Sequence, residues 1–371
     1  MPFSPSGRPV GDADPLRVLI VDDSIVARTV FQRMLTDRAG FAVSGIARGA
    51  DQALTMLADL AVDVILLDVE MPGVDGLTAL PAILAAGKGA HVVIVSSACA
   101  DGAVASVQAL ALGASDTLLK PAAGDLSNGF GDQLADRLRR LGRSRHGAPL
   151  VAPAARAQEQ ASSVRTDPIG CIAIGASTGG LVALASFFEG LGQRCAVPIL
   201  VTQHLPNEFM TYFANQLAAM AGRPAMVAKA GQRIGTECIL VAPGTAHLSL
   251  IRDQNGARIT YDQRPAVSGC QPSVDPMLDA VADHYGGAGI GVILSGMGRD
   301  GMLGAGRLAA AGGEVLAQDA TTATVWGMPG AVARAGIATT VLPPAALGRR
   351  IAARYDASVA AMQAMGAAVW R

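Results

Sequence analysis

At 371 residues the chain is long enough for two or three domains, each able to bury a core. Apolar residues make up 51% and charged residues 16%, which excludes a disordered chain, and a net charge of −1 without a basic stripe argues against a nucleic-acid surface. No stretch approaches the roughly 18 uninterrupted apolar residues of a membrane span. The five cysteines are scattered and never in C-x-x-C spacing, which points to reduced thiols in a cytoplasm, not to a disulfide framework or a zinc site.

The N-terminal MPFSPSGRPVGDADP lacks the apolar core of a signal peptide and reads as a tail. The first apolar run, Arg17 to Val21, ends in Asp22 and Asp23, and Ser24 is placed to cap a helix carrying Ile25, Val26, Val30, Met34 and Leu35. Val64 to Leu67 is a second buried strand ending in Asp68. His91 to Val95 is a third, ending in Ser96 and Ser97, and Thr117 to Leu119 a fourth, ending in Lys120-Pro121. Helical patterns over 52–60, 76–85 and 103–112 lie between them, so the segment reads as a doubly wound parallel sheet. In such a sheet the carboxyl ends of the strands converge on one crevice. That gathers Asp22, Asp23, Asp68, Ser96 and Lys120. Three neighbouring carboxylates call for a hard divalent ion such as Mg²⁺, a lysine and a hydroxyl can hold phosphoryl oxygens, and one carboxylate can accept the phosphoryl group.

These runs (VDD, DVEMPGVDG, VIVSS and the Lys-Pro pair) resemble a response-regulator receiver domain. The resemblance implies a flavodoxin-like fold, Asp68 as phosphoacceptor, and Asp22 and Asp23 as the acidic pair that binds Mg²⁺ with Asp68. It also implies Ser96 as the switch hydroxyl, Lys120 as the phosphate-contacting lysine, and a histidine kinase as phosphodonor. Thr117 stands where receivers often carry an aromatic residue. We expect this domain over 16–141 and a linker rich in Gly, Ala, Pro, Ser, Gln and Arg over 142–167.

In the expected second domain, 168–371, Cys171 to Ile174 reads as a short buried strand running into G-x-S-x-G at Gly175 to Gly179, with a helical pattern after it. Ser177 would sit on a sharp strand-to-helix turn near the free N–H groups of a helix N-terminus. Val197 to Thr202 is a strand ending at Gln203-His204, and Gly289 to Leu294 is one ending in SGMGRDG, which holds Asp300. Ser177, His204 and Asp300 thus share one rim. A serine hydroxyl needs an imidazole to take its proton and a carboxylate to orient that imidazole. Gly296-Met297-Gly298 offers backbone N–H groups to an oxyanion. His247 and His284 are competing bases, and Asp300 also reads as a helix cap. The order Ser, His, Asp departs from the α/β-hydrolase order unless Asp279 or Asp283 pairs with His284. GASTGG lacks the G-x-G-x-x-G spacing of a dinucleotide site, and no P-loop pattern is present.

The runs IGASTGG, TQHLP, APGTAHL, PSVDPML, SGMGRDG and QDATTATVWGMPGAV resemble, in order, the catalytic domain of the chemotaxis protein-glutamate methylesterases, the CheB family. The resemblance implies a mainly parallel doubly wound α/β domain, with Ser177 as nucleophile, His204 as base and Asp300 as its orienting carboxylate. The Met297 N–H and the Thr178 region would form the oxyanion hole. It further implies hydrolysis of glutamyl methyl esters on chemoreceptors, deamidation of receptor glutamines, activation by a chemotaxis histidine kinase, and no cofactor for the hydrolysis itself. Gly269-Cys270-Gln271 departs from the basic residues usual before Pro272. A non-enzymatic binding module and a phospho-regulated esterase with another substrate remain the rival readings.

Overall fold

The computed structural model describes residues 14–97, 99–120, 128–146, 165–254 and 256–369. The N-terminal tail up to residue 13, Pro121 and the expected linker from 147 to 164 lie outside the described residues.

Strands and helices alternate from the start: β1 (Leu16–Val21), α1 (Ile25–Thr36), β2 (Phe41–Ala47), α2 (Ala50–Asp59), β3 (Val64–Asp68), α3 (Gly76–Ala86), β4 (His91–Ser96), α4 (Ala100–Ala111), β5 (Asp116–Leu119) and α5 (Asn128–His146). The sheet order is β2-β1-β3-β4-β5, the flavodoxin-like order, and β1 runs parallel to both β2 and β3. The interior strands are continuous apolar runs, and Val64, Ile65 and Leu67 are wholly buried. Ser24 caps α1 as expected, accepting from the Ala27 N–H, and Asp75 caps α3 by accepting from the Thr78 N–H.

Two features of this first half differ from the sequence reading. β2 was not expected, because FAVSGIA is an edge strand, only partly buried, whose Ser44 and Gly45 break the apolar run. The segment from 142, read as linker, begins as helix: α5 continues to His146. A Cβ at Gly142 would meet Leu16 Cδ1 at 2.1 Å, so this glycine serves close packing of α5 on β1 and not flexibility.

The C-terminal half comprises β6 (Cys171–Ala176), α6 (Gly180–Leu191), β7 (Ile199–Gln203), α7 (Met210–Ala221), β8 (Ala225–Val227), β9 (Ile239–Val241), β10 (His247–Asp253), β11 (Gly256–Asp262), α8 (Val274–Tyr285), β12 (Gly289–Ile293), α9 (Met302–Ala310), β13 (Glu314–Gln318), α10 (Met328–Arg334), β14 (Thr340–Leu342) and α11 (Pro344–Val369). Seven strands form one sheet in the order β14-β13-β12-β6-β7-β9-β8, with every adjacent pair parallel. β10 and β11 form an antiparallel hairpin apart from it. The chain enters at β6, steps one way to β7 and later returns on the other side as β12. β6 and β12 therefore flank the point where strand order reverses, where α/β sheets place their ligands.

By compactness the chain divides into two units: residues up to 93 with 121–145, and residues 94–120 with 146 onward. The end of β4, α4 and β5 thus group with the C-terminal sheet.

Candidate active site

Ser177 follows the last residue of β6, and α6 begins three residues later, giving the expected strand–turn–helix. The turn is possible because Gly179 adopts φ +73°, the left-handed region open to glycine. Its surroundings also demand glycine, since a Cβ there would lie 2.3 Å from Thr324 Oγ1 and 2.9 Å from Ser295 Oγ. The Ser177 N–H donates to the Ser295 carbonyl (2.9 Å), and Gln203 Nε2 donates to the Ser177 carbonyl (2.8 Å). The turn is therefore held from β12 on one side and β7 on the other. Gln203, the last residue of β7, and Ser295, two residues past β12, are both buried and escape the sequence reading, because nothing in a residue at or just past the end of an apolar strand marks a side chain that returns to a neighbouring turn.

His204 follows β7, and its N–H donates to the Ala176 carbonyl. Its Nε2 lies 2.7 Å from Asp300 Oδ2. Asp300 reaches this point from the loop after β12. It does not cap α9, whose N-cap is Gly301. Its Oδ1 accepts from Ser273 Oγ (2.6 Å) and its Oδ2 from the Val274 N–H (2.7 Å), the first N–H of α8. The carboxylate thus sits where a helix N-terminus favours negative charge. Burial opposes its ionisation, but His204, Ser273 and Val274 hold its pKa well below the ordinary carboxylate value. Burial likewise disfavours the imidazolium of His204. The bonds to Asp300 and Cys270 outweigh it and hold the pKa up at about 9. Among the described residues Ser177 Oγ makes no hydrogen bond, as catalytic hydroxyls often do not before substrate arrives.

The competing bases are engaged elsewhere. His247 opens β10, where its Nδ1 accepts from the Ser273 N–H and its Nε2 donates to the Arg264 carbonyl. That fixes the tautomer and gives it a structural task beside Asp300. His284 ends α8 with Nδ1 against the Ala280 carbonyl. Asp279 pairs with Arg307, and Asp283 also lies within ion-pair distance of it.

Asp275, one residue past Val274, accepts from the Gly304 N–H (2.8 Å). Burial raises its pKa, the Gly304 N–H opposes, and the negative charge of Asp300 adds to the rise, giving about 6. Cys270 completes the surroundings, with its sulfur, a His204 ring nitrogen and an Asp300 oxygen within 4.8 Å of one another.

The N–H groups of Thr178, Met297 and Gly298 donate to no protein atom among the described residues, whereas that of Gly296 donates to the Val325 carbonyl. A Cβ on Gly296 would lie 2.8 Å from Ser177 Cβ, so this loop passes directly against the serine. Thr178 Oγ1 donates to Asp116 Oδ2 at 3.0 Å, and the Gly179 N–H donates to the Ser115 carbonyl at 2.8 Å.

In the other unit, carboxylate oxygens of Asp22, Asp23 and Asp68 lie within 4.8 Å of one another at the ends of β1 and β3. The donor set is all oxygen and all anionic, which suits a hard cation such as Mg²⁺. Ser96 ends β4 and accepts at its Oγ from Ser106 Oγ. Lys120 follows β5, and its N–H donates to the Ser96 carbonyl.

Comparison with known proteins places these sites in context. Residues 172–351 match the family model CheB methylesterase, and residues 18–128 match the response regulator receiver domain. A relative from Caulobacter vibrioides, protein-glutamate methylesterase/protein-glutamine glutaminase 2, is 42% identical over 91% of this chain and 99% of its own length. A protein-glutamate methylesterase/protein-glutamine glutaminase from Nitrobacter hamburgensis is 38% identical over 92% of this chain and 94% of its own. Among solved structures, the Thermotoga maritima CheB methylesterase catalytic domain is 32% identical, with a TM-score of 0.47, over 51% of this chain and 98% of that one. No helix among the described residues is long and apolar enough to cross a membrane. With two relatives this similar over nine-tenths of its length, the chain belongs to the protein-glutamate methylesterase/protein-glutamine glutaminase family, in which a receiver domain precedes a CheB methylesterase domain.

Proposed function

We propose that this chain is a phosphorylation-activated protein-glutamate methylesterase of the cytoplasm. It hydrolyses glutamyl methyl esters on the cytoplasmic signalling helices of methyl-accepting chemoreceptors and deamidates receptor glutamines in the same site. The observation that carries the reading is the Asp300–His204 pair at 2.7 Å, set beside the turn that presents Ser177. The family supplies the substrate class.

Ser177 Oγ attacks the ester carbonyl while His204 takes its proton. Asp300 stabilises the imidazolium that forms and keeps the ring oriented. The free N–H groups of Met297 and Thr178 receive the oxyanion. His204 returns the proton to the departing methoxide, methanol leaves, and water, deprotonated by the same imidazole, cleaves the acyl-enzyme to give glutamate and restore Ser177. A glutamine amide follows the same course with ammonia leaving.

In the receiver, Asp68 accepts a phosphoryl group from a chemotaxis histidine kinase. Asp22, Asp23 and Asp68 would hold Mg²⁺, which supplies charge neutralisation at the phosphoryl oxygens. Lys120 and Ser96 answer to the phosphorylated state. The unphosphorylated form is the less active one, and phosphorylation shifts a population between two arrangements.

The test is methanol release from methylated chemoreceptor with acetyl phosphate and Mg²⁺ present. The intact chain is expected to release methanol and Ser177→Ala to release none. Release that survives in Ser177→Ala moves the nucleophile elsewhere. No release from either favours a binding module.

A further inference from the structure

The residues around the His204 base include a set of donors that ester hydrolysis does not need. A His204 ring nitrogen, the Cys270 sulfur and an Asp300 oxygen lie within 4.8 Å of one another. They come from three separate loops, after β7, before α8 and after β12, so no short sequence spacing announces them. Imidazole, thiolate and carboxylate are the ligand types of zinc, and three protein ligands leave the fourth tetrahedral position to water. The contrast with the receiver trio is chemical. Three carboxylates suit Mg²⁺, whereas a sulfur and a nitrogen favour a softer ion.

We propose that Cys270, His204 and Asp300 form an inhibitory zinc site. A bound Zn²⁺ takes one His204 nitrogen and leaves the neutral ring's single proton on the other, so no ring nitrogen is free to accept the Ser177 proton, and metal binding and proton transfer exclude each other. Zinc bonds of about 2.0–2.3 Å set tetrahedral ligand atoms roughly 3.3–3.7 Å apart, so the His204–Asp300 contact of 2.7 Å has to open and the Cys270 sulfur has to settle at that spacing, a shift on the order of 1 Å. The loop of Cys270 can supply it. Val267 is 88% exposed, Gly269 and Gln271 are exposed, and the Cys270 N–H is held only by Ser268 Oγ at 3.3 Å. Binding releases the thiol proton and the proton on the ligating nitrogen, with no change of oxidation state, so zinc affinity increases with pH. Occupancy of the trio rests on these residues alone. Inhibition rests on the esterase reading above.

Cobalt(II) serves as the spectroscopic probe for zinc. The full chain is titrated with Co²⁺, following thiolate-to-cobalt charge transfer in the near ultraviolet, and Zn²⁺ is then added in competition. The expected result is a one-equivalent band that Zn²⁺ abolishes and Mg²⁺ does not. Cys270→Ser is expected to lose the band, and His204→Gln to weaken Co²⁺ binding at least about tenfold while Cys270 is intact. Zn²⁺ is expected to inhibit methanol release at least about tenfold less effectively in Cys270→Ser than in the parent chain. A band that persists in Cys270→Ser assigns the metal to another thiol and overturns the site. So does zinc binding confined to the Asp22, Asp23 and Asp68 cluster. A band lost in Cys270→Ser together with equal zinc inhibition of both proteins overturns the inhibitory role. A chain that binds cobalt as expected but releases no methanol disproves the esterase reading and leaves the metal site standing.

Discussion

Asp300 Oδ2 lies 2.7 Å from His204 Nε2. The same carboxylate is fixed by Ser273 and by the first N–H of α8, so the imidazole is oriented by a group that cannot itself turn away. This arrangement stabilises the charged ring, and the His204 pKa stands at about 9 despite burial. A general base works only when neutral, so at pH 7 most of the histidine is in the inactive form. Methanol release, read as kcat/KM, is expected to rise between pH 7 and 9 and to level off above. Asp300→Asn removes the stabilising charge. Its rising limb should move to lower pH, and kcat should fall on the order of 10³–10⁴-fold. A profile flat from pH 6 to 9 in the parent chain would contradict His204 as the base.

Asp275 couples stability to pH. Its folded pKa of about 6 lies above the ordinary 3.8, so between about pH 4 and 6 the native state holds a proton that the unfolded chain has lost. Native stability contributed by this group is therefore lost as pH rises through 6. Asp275→Asn keeps an oxygen for the Gly304 N–H and carries no charge beside Asp300. It should stabilise the fold by about 1–3 kcal/mol at pH 8 and by little at pH 4. Urea unfolding at both pH values checks this, and an equal gain at both would separate the effect from titration.

Gly179 makes the serine turn testable apart from its chemistry. Gly179→Ala places a Cβ at φ +73° and 2.3 Å from Thr324 Oγ1, whereas Gly192→Ala, at φ +66°, meets nothing within 4 Å. Gly179, with ψ +6°, carries the left-handed penalty of about 1–2 kcal/mol, and Gly192, with ψ −176°, lies in a region essentially reserved for glycine and carries a backbone penalty of about 1–3 kcal/mol. Only the first must also displace the turn that holds Ser177. Gly179→Ala is expected to lose most activity with Gly192→Ala near the parent rate, compared at equal folded fraction by circular dichroism.

The sequence exposed seven of the fourteen strands among the described residues, because those seven are short apolar runs ending in glycine or a polar residue. It marked Ser177, His204 and Asp300 as candidates because all three follow such runs. β2 escaped because an edge strand buries too little to need an apolar run, and Gly142 misled because a glycine chosen for packing on Leu16 looks the same as one in a linker. The supports of the site, Gln203, Ser273 and Ser295, were illegible for another reason. Their roles are hydrogen bonds to residues distant in sequence, and a lone buried polar residue does not name its partner. Ser24 was legible as a cap because that bond spans one helical turn.

The turn that bears Ser177 is also tied to β5. Thr178 Oγ1 donates to Asp116 Oδ2 at 3.0 Å, and the Gly179 N–H donates to the Ser115 carbonyl at 2.8 Å, both at the start of that strand. The far end of β5 leads to Lys120, whose N–H is bonded to Ser96. One four-residue strand therefore joins the residues that would answer phosphorylation to the residue next to the nucleophile. Asp116→Ala removes the side-chain tie, together with the bond that Asp116 Oδ1 accepts from the Thr117 N–H, and changes neither Lys120 nor Ser177 itself. A buried hydrogen bond is worth about 0.5–1.5 kcal/mol, which corresponds to a few-fold to tenfold change in a population. Methanol release without a phosphodonor is expected to rise by that factor in Asp116→Ala, and the gain on adding acetyl phosphate to shrink by the same factor. Thr178→Val, which keeps the Thr178 N–H, should act in the same direction. If both variants keep the parent ratio of activities with and without acetyl phosphate, the tie at Asp116 plays no part in regulation.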